Sequence, residues 1–259
     1  MLKTAKKAAA MGGGILQKEF RKLKEGQIDI KGKGDYVTEL DYKSEHKIIS
    51  FIKHKFPDHA IMAEESEKQK TESTYQWIID PLDGTANYIQ GIPVYAVSVA
   101  LSINGIINTG VIYTPETEEM FWAERNKGAY LNGHRIRVSG KKTMDDAILA
   151  TGFPFRVKEN LDTYLQSFKK LFHQSAGIRR MGAAAVDLAY IACGIFDGFW
   201  EMRLKPWDVA AGSLLITEAG GRIGDFRGNQ EFMESGNIVA GNPFVYNKIV
   251  KVTEKMVLK

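Results

Sequence analysis

The feature that most constrains this chain is a change of patterning near residue 140. Upstream, short runs rich in β-branched and aromatic residues (HAIMAEE, QWIID, VYAVSVALSI, IINTGVIYT, EEMFWAE, GAYLNGHRIRV) are separated mostly by polar and turn residues. Asn104-Gly105 and Asn132-Gly133 suit two-residue hairpin turns, whose central positions need positive φ. Together these predict an antiparallel meander. Two helical patterns precede it. One is the stripe Leu2, Ala5, Ala9, Leu16, Phe20 and Leu23, ended by Gly26; the other carries Ile48, Ile49, Ile52 and Phe56 and is closed by Pro57. Between them, Gly32 and Gly34 predict a mobile loop over residues 31–35, placed to gate access to a site.

Downstream the pattern alternates. AILATGF and GIRRMG read as strands, residues 160–172 and AAAVDLAYIACG as helices, and FDGFWEM, PWDVAAGSLLITEAGG, RIGDF, NIVAG and a closing helix continue the alternation. The expected architecture is therefore α+β over residues 1–140 and α/β over 141–259. With no internal repeat and no low-complexity linker, the two halves should pack as one body.

Composition excludes some classes. With 259 residues, 44% hydrophobic and 25% charged, the chain can bury a sizeable core and is not expected to be disordered. The net charge of +4 balances 35 basic against 31 acidic residues, which does not demand nucleic acid. The densest basic run (Lys3, Lys6, Lys7, Lys18, Arg21, Lys22, Lys24) reads as the solvated face of the first helix. Cys193, the only cysteine, lies in an apolar stretch; it reads as a buried thiol in a reducing cytoplasm. The start MLKTAKKAAAMGGGIL mimics a signal peptide, but its apolar part is short and runs into Lys18 and Glu19. Residues 92–103 are too few to span a bilayer, so a soluble cytoplasmic protein without a membrane partner is expected.

The chemistry concentrates in WIIDPLDGT, where an apolar strand ends in Asp80 and Asp83 with Pro81 fixing the backbone between them. Such a turn can bring both carboxylates and the Leu82 carbonyl to one point, a set of hard oxygen donors suited to Mg2+ or Mn2+. Asp-Pro and Asp-Gly are equally common as plain turn dipeptides. Glu64 and Glu65 close AIMAEE, and Asp208 follows Trp207 at the start of a helix. If these groups converge they need a cation, because two like charges ~4 Å apart repel by about 4 kcal/mol at an effective dielectric of ~20.

DPLDGT, with DYVTELD and AEES upstream and PWDVAAG and EAGG downstream, resembles the inositol monophosphatase family in motif order and spacing over residues 3–252. The resemblance implies a layered αβαβα sandwich of the sugar phosphatase type and a homodimer. It also implies two to three Mg2+ ions, lithium sensitivity, and hydrolysis of a small phosphorylated polyol or sugar by direct attack of a metal-activated water. Glu64, Asp80 and the Leu82 carbonyl would bind one metal, and Asp80, Asp83 and Asp208 a second, with Mn2+ a possible substitute. Asp41 and Thr85 would activate the water, with Glu65 in support. Asp41 also fits a helix N-terminal capping box with Thr38, and both roles can coexist. Substrate contacts fall on Asp83, Gly84, Thr85, Gly182, Ala183, Ala184 and Glu201. Ala183 departs from relatives that carry a hydroxyl residue there.

Arg179, Arg180, Arg203 and Lys205 fit either a second phosphate or a solvated or subunit-interface face. The five histidines, His46, His54, His59, His134 and His173, show no metal-ligand spacing and read as surface residues. Inositol 1-phosphate leads as substrate, with fructose 1,6-bisphosphate or a nucleotide phosphate as alternatives. One bacterial relative also acts with RNA polymerase and RNA, which keeps a regulatory role open. A metal-free two-carboxylate glycosidase is the remaining enzymatic alternative.

Overall fold

Small residues on one face let the first helix lie close to its neighbours. In α1 (Leu2–Glu19), Ala5, Ala8, Ala9, Gly12, Gly13 and Leu16 are buried, against α2 (Glu39–Lys55) and the sheet beneath. The structure, a computed structural model, describes residues 1–23, 26–32, 35–66, 73–155 and 158–256. Between the two helices, β1 (Ile28–Gly32) and β2 (Asp35–Thr38) pair as an antiparallel hairpin.

After α2 come β3 (Ala60–Ala63), β4 (Tyr75–Asp83), the short α3 (Thr85–Ile89) and the meander β5 (Ala96–Ile103), β6 (Ile106–Thr114), β7 (Glu119–Glu124), β8 (Gly128–Leu131) and β9 (His134–Ile136). Among the described residues these strands form a seven-stranded sheet in chain order, antiparallel except that β3 runs parallel to β4. The expected turns are present: Asn104 (φ 52°) and Gly105 (φ 78°) join β5 to β6, and Asn132 (φ 48°) and Gly133 (φ 87°) join β8 to β9.

The chain then passes to a second sheet built from β10 (Ile148–Thr151), β11 (Gly177–Arg179), β12 (Gly198–Glu201), β13 (Arg222–Gly224) and β14 (Ile238–Gly241), ordered β11-β10-β12-β14-β13. Its helices are α4 (Leu161–Phe172), α5 (Ala184–Ala192), α6 (Pro206–Glu218), the single turn α7 (Phe232–Ser235) and α8 (Pro243–Thr253). β10 is parallel to both β11 and β12, whereas β14 is antiparallel to β12 and β13.

Hydrophobicity explains the layering. α5 and α6 are buried along almost their whole lengths and pack against each other between the two sheets, as helices apolar on all sides must. α1 and α2 cover the outer face of the first sheet, while α8, with α4 beside it, covers the second. The result is the αβαβα sandwich that the resemblance implies. Among the described residues no helix is long and apolar enough to cross a membrane.

Four expectations are corrected. Gly26 does not end the first helix; α1 stops at Glu19, with Phe20 extended (φ −58°, ψ 133°). Phe20 packs on Tyr88 and Tyr95, and Arg21 donates to the Gly91 carbonyl at 3.0 and 3.1 Å, so tertiary contacts end the helix first. Residues 31, 32 and 35 of the expected mobile loop are strand residues, since Ile28, Val37 and Thr38 favour pairing across the two strands; Lys33 and Gly34, like Lys24, lie outside the described residues. His59 is 9% exposed. Its ring stacks between Phe56 and Tyr75 at 4.6 Å each, and its Nδ1 accepts the Trp77 indole N–H at 3.0 Å. Cys193 is only partly buried, and that burial pushes its thiol up to about 11.

Candidate active site

The cleft between the two sheets is built from strand ends and helix starts. β4 pairs regularly with β5 until Asp80 faces Ser98, and the register then shifts so that Asp83 faces Ala96. Pro81, which has no N–H to give a ladder, lies within this irregularity. The Leu82 N–H turns back to Asp80 Oδ1 at 2.9 Å, an Asx-type closure that presents the Leu82 carbonyl. Gly84 follows at φ 90°, where a Cβ would lie 2.9 Å from the Val94 carbonyl and 3.1 Å from the Ala183 Cβ, so glycine is required there. α3 starts immediately after it.

Glu64, Asp80, Leu82, Asp83, Gly84, Thr85, Gly182, Ala183, Ala184, Glu201 and Asp208, eleven of the expected positions, line one cleft. Asp41 and Glu65 do not line it. Asp41 lies fully buried behind Thr85, and its Oδ1 accepts the Thr85 hydroxyl at 3.1 Å. That hydroxyl also lies 3.0 Å from the Leu82 carbonyl. Asp41 Oδ2 accepts both the N–H of Thr38 at 2.8 Å and its hydroxyl at 2.6 Å, so the helix cap and the Thr85 contact coexist in one side chain. The Glu65 N–H is held by Glu45 at 2.9 Å. Arg180 and Arg203 line the cleft, whereas Arg179 and Lys205 do not.

Electrostatics marks the carboxylates. Burial pushes Asp80 well above the usual carboxylate range, and the charges of Glu64, Asp83 and Asp208 push it further. Asp83 rises to about 7, through enclosure and then the Asp208 charge, although backbone donors oppose the shift. Asp41 rises to about 6, chiefly by burial. Asp41, Asp80, Asp83 and Asp208 nonetheless each accept a backbone N–H. Asp83 accepts the N–H groups of Ala184 (3.2 Å) and Ala185 (2.7 Å) at the start of α5, and Asp208 accepts the Lys205 N–H at 2.7 Å. Among the described residues, no three His, Cys, Asp or Glu side chains form a ready-made metal-holding group. The donor set still fits a hard divalent cation, since carboxylates and a carbonyl line one wall and the charges of Glu64, Asp83 and Asp208 oppose ionisation of Asp80.

Most of the opposite wall was not foreseen. Besides Glu201, Arg180 and Arg203, it carries Thr151, Gly152, Phe153, Pro154, Phe155, Met202 and Leu204; Tyr36 of β2 lines the cleft as well. Thr151 ends β10 and Gly152 follows it, and a Cβ at Gly152 would overlap the Glu201 carboxylate. Phe155, half exposed, carries the Arg180 guanidinium over its ring at 5.5 Å. The glycine after AILAT was the available signal for this wall; the aromatic residues carry none on their own.

A sequence profile described as the inositol monophosphatase family matches residues 1–258. The chain is 47% identical over 247 residues to Nus factor SuhB of Pseudomonas aeruginosa, covering 93% of this chain and 91% of that one. It is 39% identical over 256 residues to inositol-1-monophosphatase of Mesorhizobium japonicum, covering 98% and 96% respectively. The crystal structure of extragenic suppressor protein suhB from Bartonella henselae superposes with a TM-score of 0.95 at 39% identity, covering 98% of both chains.

Proposed function

The chain belongs to the inositol monophosphatase family, and from that premise we propose that it is a Mg2+-dependent phosphomonoesterase acting on inositol 1-phosphate, with fructose 1,6-bisphosphate as a second substrate. The observation that carries this reading is the lining of one cleft by Glu64, Asp80, Asp83 and Asp208, the charges of the other three all acting on Asp80, in front of the Thr85–Asp41 pair. Residues 1–140 would supply most of the metal ligands, and 141–259 Asp208 and most of the sugar-side contacts.

Glu64, Asp80, the Leu82 carbonyl, Asp83 and Asp208 would hold the ions. When bound, Mg2+ supplies charge stabilisation for the phosphoryl group and lowers the pKa of water. The chain does the rest. Thr85 Oγ accepts a proton from the attacking water as its own passes to Asp41 Oδ1. Asp41, at about 6, suits a group that takes up a proton near neutrality. Gly84 and Thr85, at the start of α3, favour the phosphate through backbone N–H groups. Glu201 accepts a hydroxyl of the polyol, and Arg180 and Arg203 favour a second anionic group.

A homodimer accords with the apolar Leu161, Leu165 and Phe172, all exposed on α4. A second reading, a regulatory role with RNA polymerase and RNA, is supported by the name Nus factor SuhB borne by the Pseudomonas relative. Phosphate release from inositol 1-phosphate and fructose 1,6-bisphosphate across a Mg2+ titration tests the enzyme. Release abolished by EDTA and by Asp83→Asn is expected. No release from either substrate, together with salt-sensitive retention of RNA, would favour the regulatory reading.

A further inference from the structure

We infer that α2 carries a positioning strip for the cleft: Ser44 and Glu45, one turn beyond Asp41, hold the end of β4 and the turn after β3, which bear Asp80, Asp83 and Glu64. The inference rests on the metal-dependent reading of that cleft. Asp41, Ser44 and Glu45 stand at i, i+3 and i+4 and so share one helix face. They are 0%, 0% and 3% exposed. Ile48 and Ile52 continue the buried surface of the same helix as plain core. Three polar residues in place of further apolar ones are costly to bury unless their bonds are made.

Each takes a different segment of the site. Asp41 takes Thr85. The Ser44 hydroxyl donates to the Pro81 carbonyl at 3.0 Å, at the irregularity between Asp80 and Asp83. Glu45 uses both oxygens on the turn after Glu64: Oε2 accepts the Glu65 N–H at 2.9 Å, and Oε1 accepts the Ser66 hydroxyl. Gly12 of α1 leaves room for this, since a Cβ there would stand 2.7 Å from the Ser44 Oγ. One rigid helix thus sets the spacing between the end of β4 with Asp80 and Asp83 and the turn of Glu64, and that spacing is what a cation bound by both requires. Ser44 and Glu45 touch neither substrate nor reacting atoms in this account; they act through the groups they hold.

The test uses the full chain, stripped with EDTA, with Mg2+ binding followed by calorimetry and, separately, the Mg2+ dependence of phosphate release. Glu45→Ala should raise the Mg2+ concentration for half-saturation by about 10–100-fold in both readouts. At saturating Mg2+ the KM for inositol 1-phosphate should stay within about 2-fold, since no substrate contact is touched. Glu45→Gln keeps an acceptor for the Glu65 N–H and an amide to pair with the Ser66 hydroxyl, so it should remain within about 3-fold of the parent chain. Ser44→Ala, a helix-favouring change, should weaken Mg2+ by about 3–10-fold and keeps the test decisive if Glu45→Ala does not melt cooperatively. Parent-like Mg2+ affinity in whichever of the two alanine variants folds would overturn the inference alone. A parent chain that takes up no Mg2+ in the calorimeter would instead overturn the metal-dependent reading on which it rests.

Discussion

The two walls of the cleft are built on different principles. The carboxylate wall, from Glu64 to Thr85 with Asp208 facing it, is tied down residue by residue. Asp80 is closed on Leu82, Asp83 on the start of α5, Thr85 on Asp41 and Leu82, and the turn after Glu64 on Glu45. The opposite wall, from Thr151 to Phe155 with Arg180, Glu201 and Arg203, relies on shape: a bare glycine against Glu201 and a ring under Arg180. A wall that must hold like charges together needs its geometry fixed in advance, because repulsion would otherwise spread it. A wall that relies on shape can be varied with less effect on the fold.

That contrast makes the walls separable by experiment. The largest effect should come from Asp83→Asn, with phosphate release falling about 10²–10³-fold, the loss of several kcal/mol of charge stabilisation. Its metal-free Tm should rise, because a half-buried carboxylate exposed to the Asp208 charge becomes neutral. A lower Tm would mean that the α5 N–H groups depend on the full charge of Asp83, and the comparison would lose its electrostatic basis. Next, Thr85→Ala should lower kcat by about 10²-fold with little change in KM. A change confined to KM would move Thr85 from proton transfer to binding.

The pH dependence sharpens the same point. The folded-state pKa values of Asp83 and Asp41 are raised, to about 7 and about 6, from an ordinary 3.8. Raised acids bind more protons folded than unfolded, so their stabilising contribution is complete below about 3.8 and is lost as pH climbs through 6 and 7. The metal-free protein should therefore lose Tm across that window, and Mg2+ should raise Tm more at pH ~8 than at pH ~5. Equal Mg2+ shifts at both pH values, read by differential scanning calorimetry, would mean that these carboxylates do not take the ion.

The smallest effect belongs to the opposite wall. Gly152→Ala should displace the Glu201 carboxylate and raise the KM for inositol 1-phosphate by about 10-fold, while kcat on a small aryl phosphate changes by less than about 2-fold. Loss of turnover on both substrates would show that the walls are not independent.

Much of the carboxylate wall was legible in the chain because its signals are local. Asp80, Asp83, Gly84 and Thr85 lie within six residues, and the special backbone they require is written in the Pro and Gly between them. Asp208 is marked by its place at a helix start, and the meander by its Asn-Gly pairs. His59 was misread because no periodicity announces a ring stacked between Phe56 and Tyr75. The end of α1 was misread because Phe20 and Arg21 answer to residues about seventy positions away.

The sequence by itself determined most of the elements and their order, the Asn-Gly turns and the candidate site residues, since propensity, turn stereochemistry and side-chain type act over a few residues. Only the tertiary structure decided which of those groups meet. Asp83 reaches the N–H groups of α5 across 101 and 102 positions, Glu45 reaches the turn after Glu64 across 20, and the Glu201 carboxylate settles on Gly152. Such meetings follow from sheet order and from how helices are stacked between sheets, and both are set by burying all the apolar faces at once rather than by any one stretch of chain.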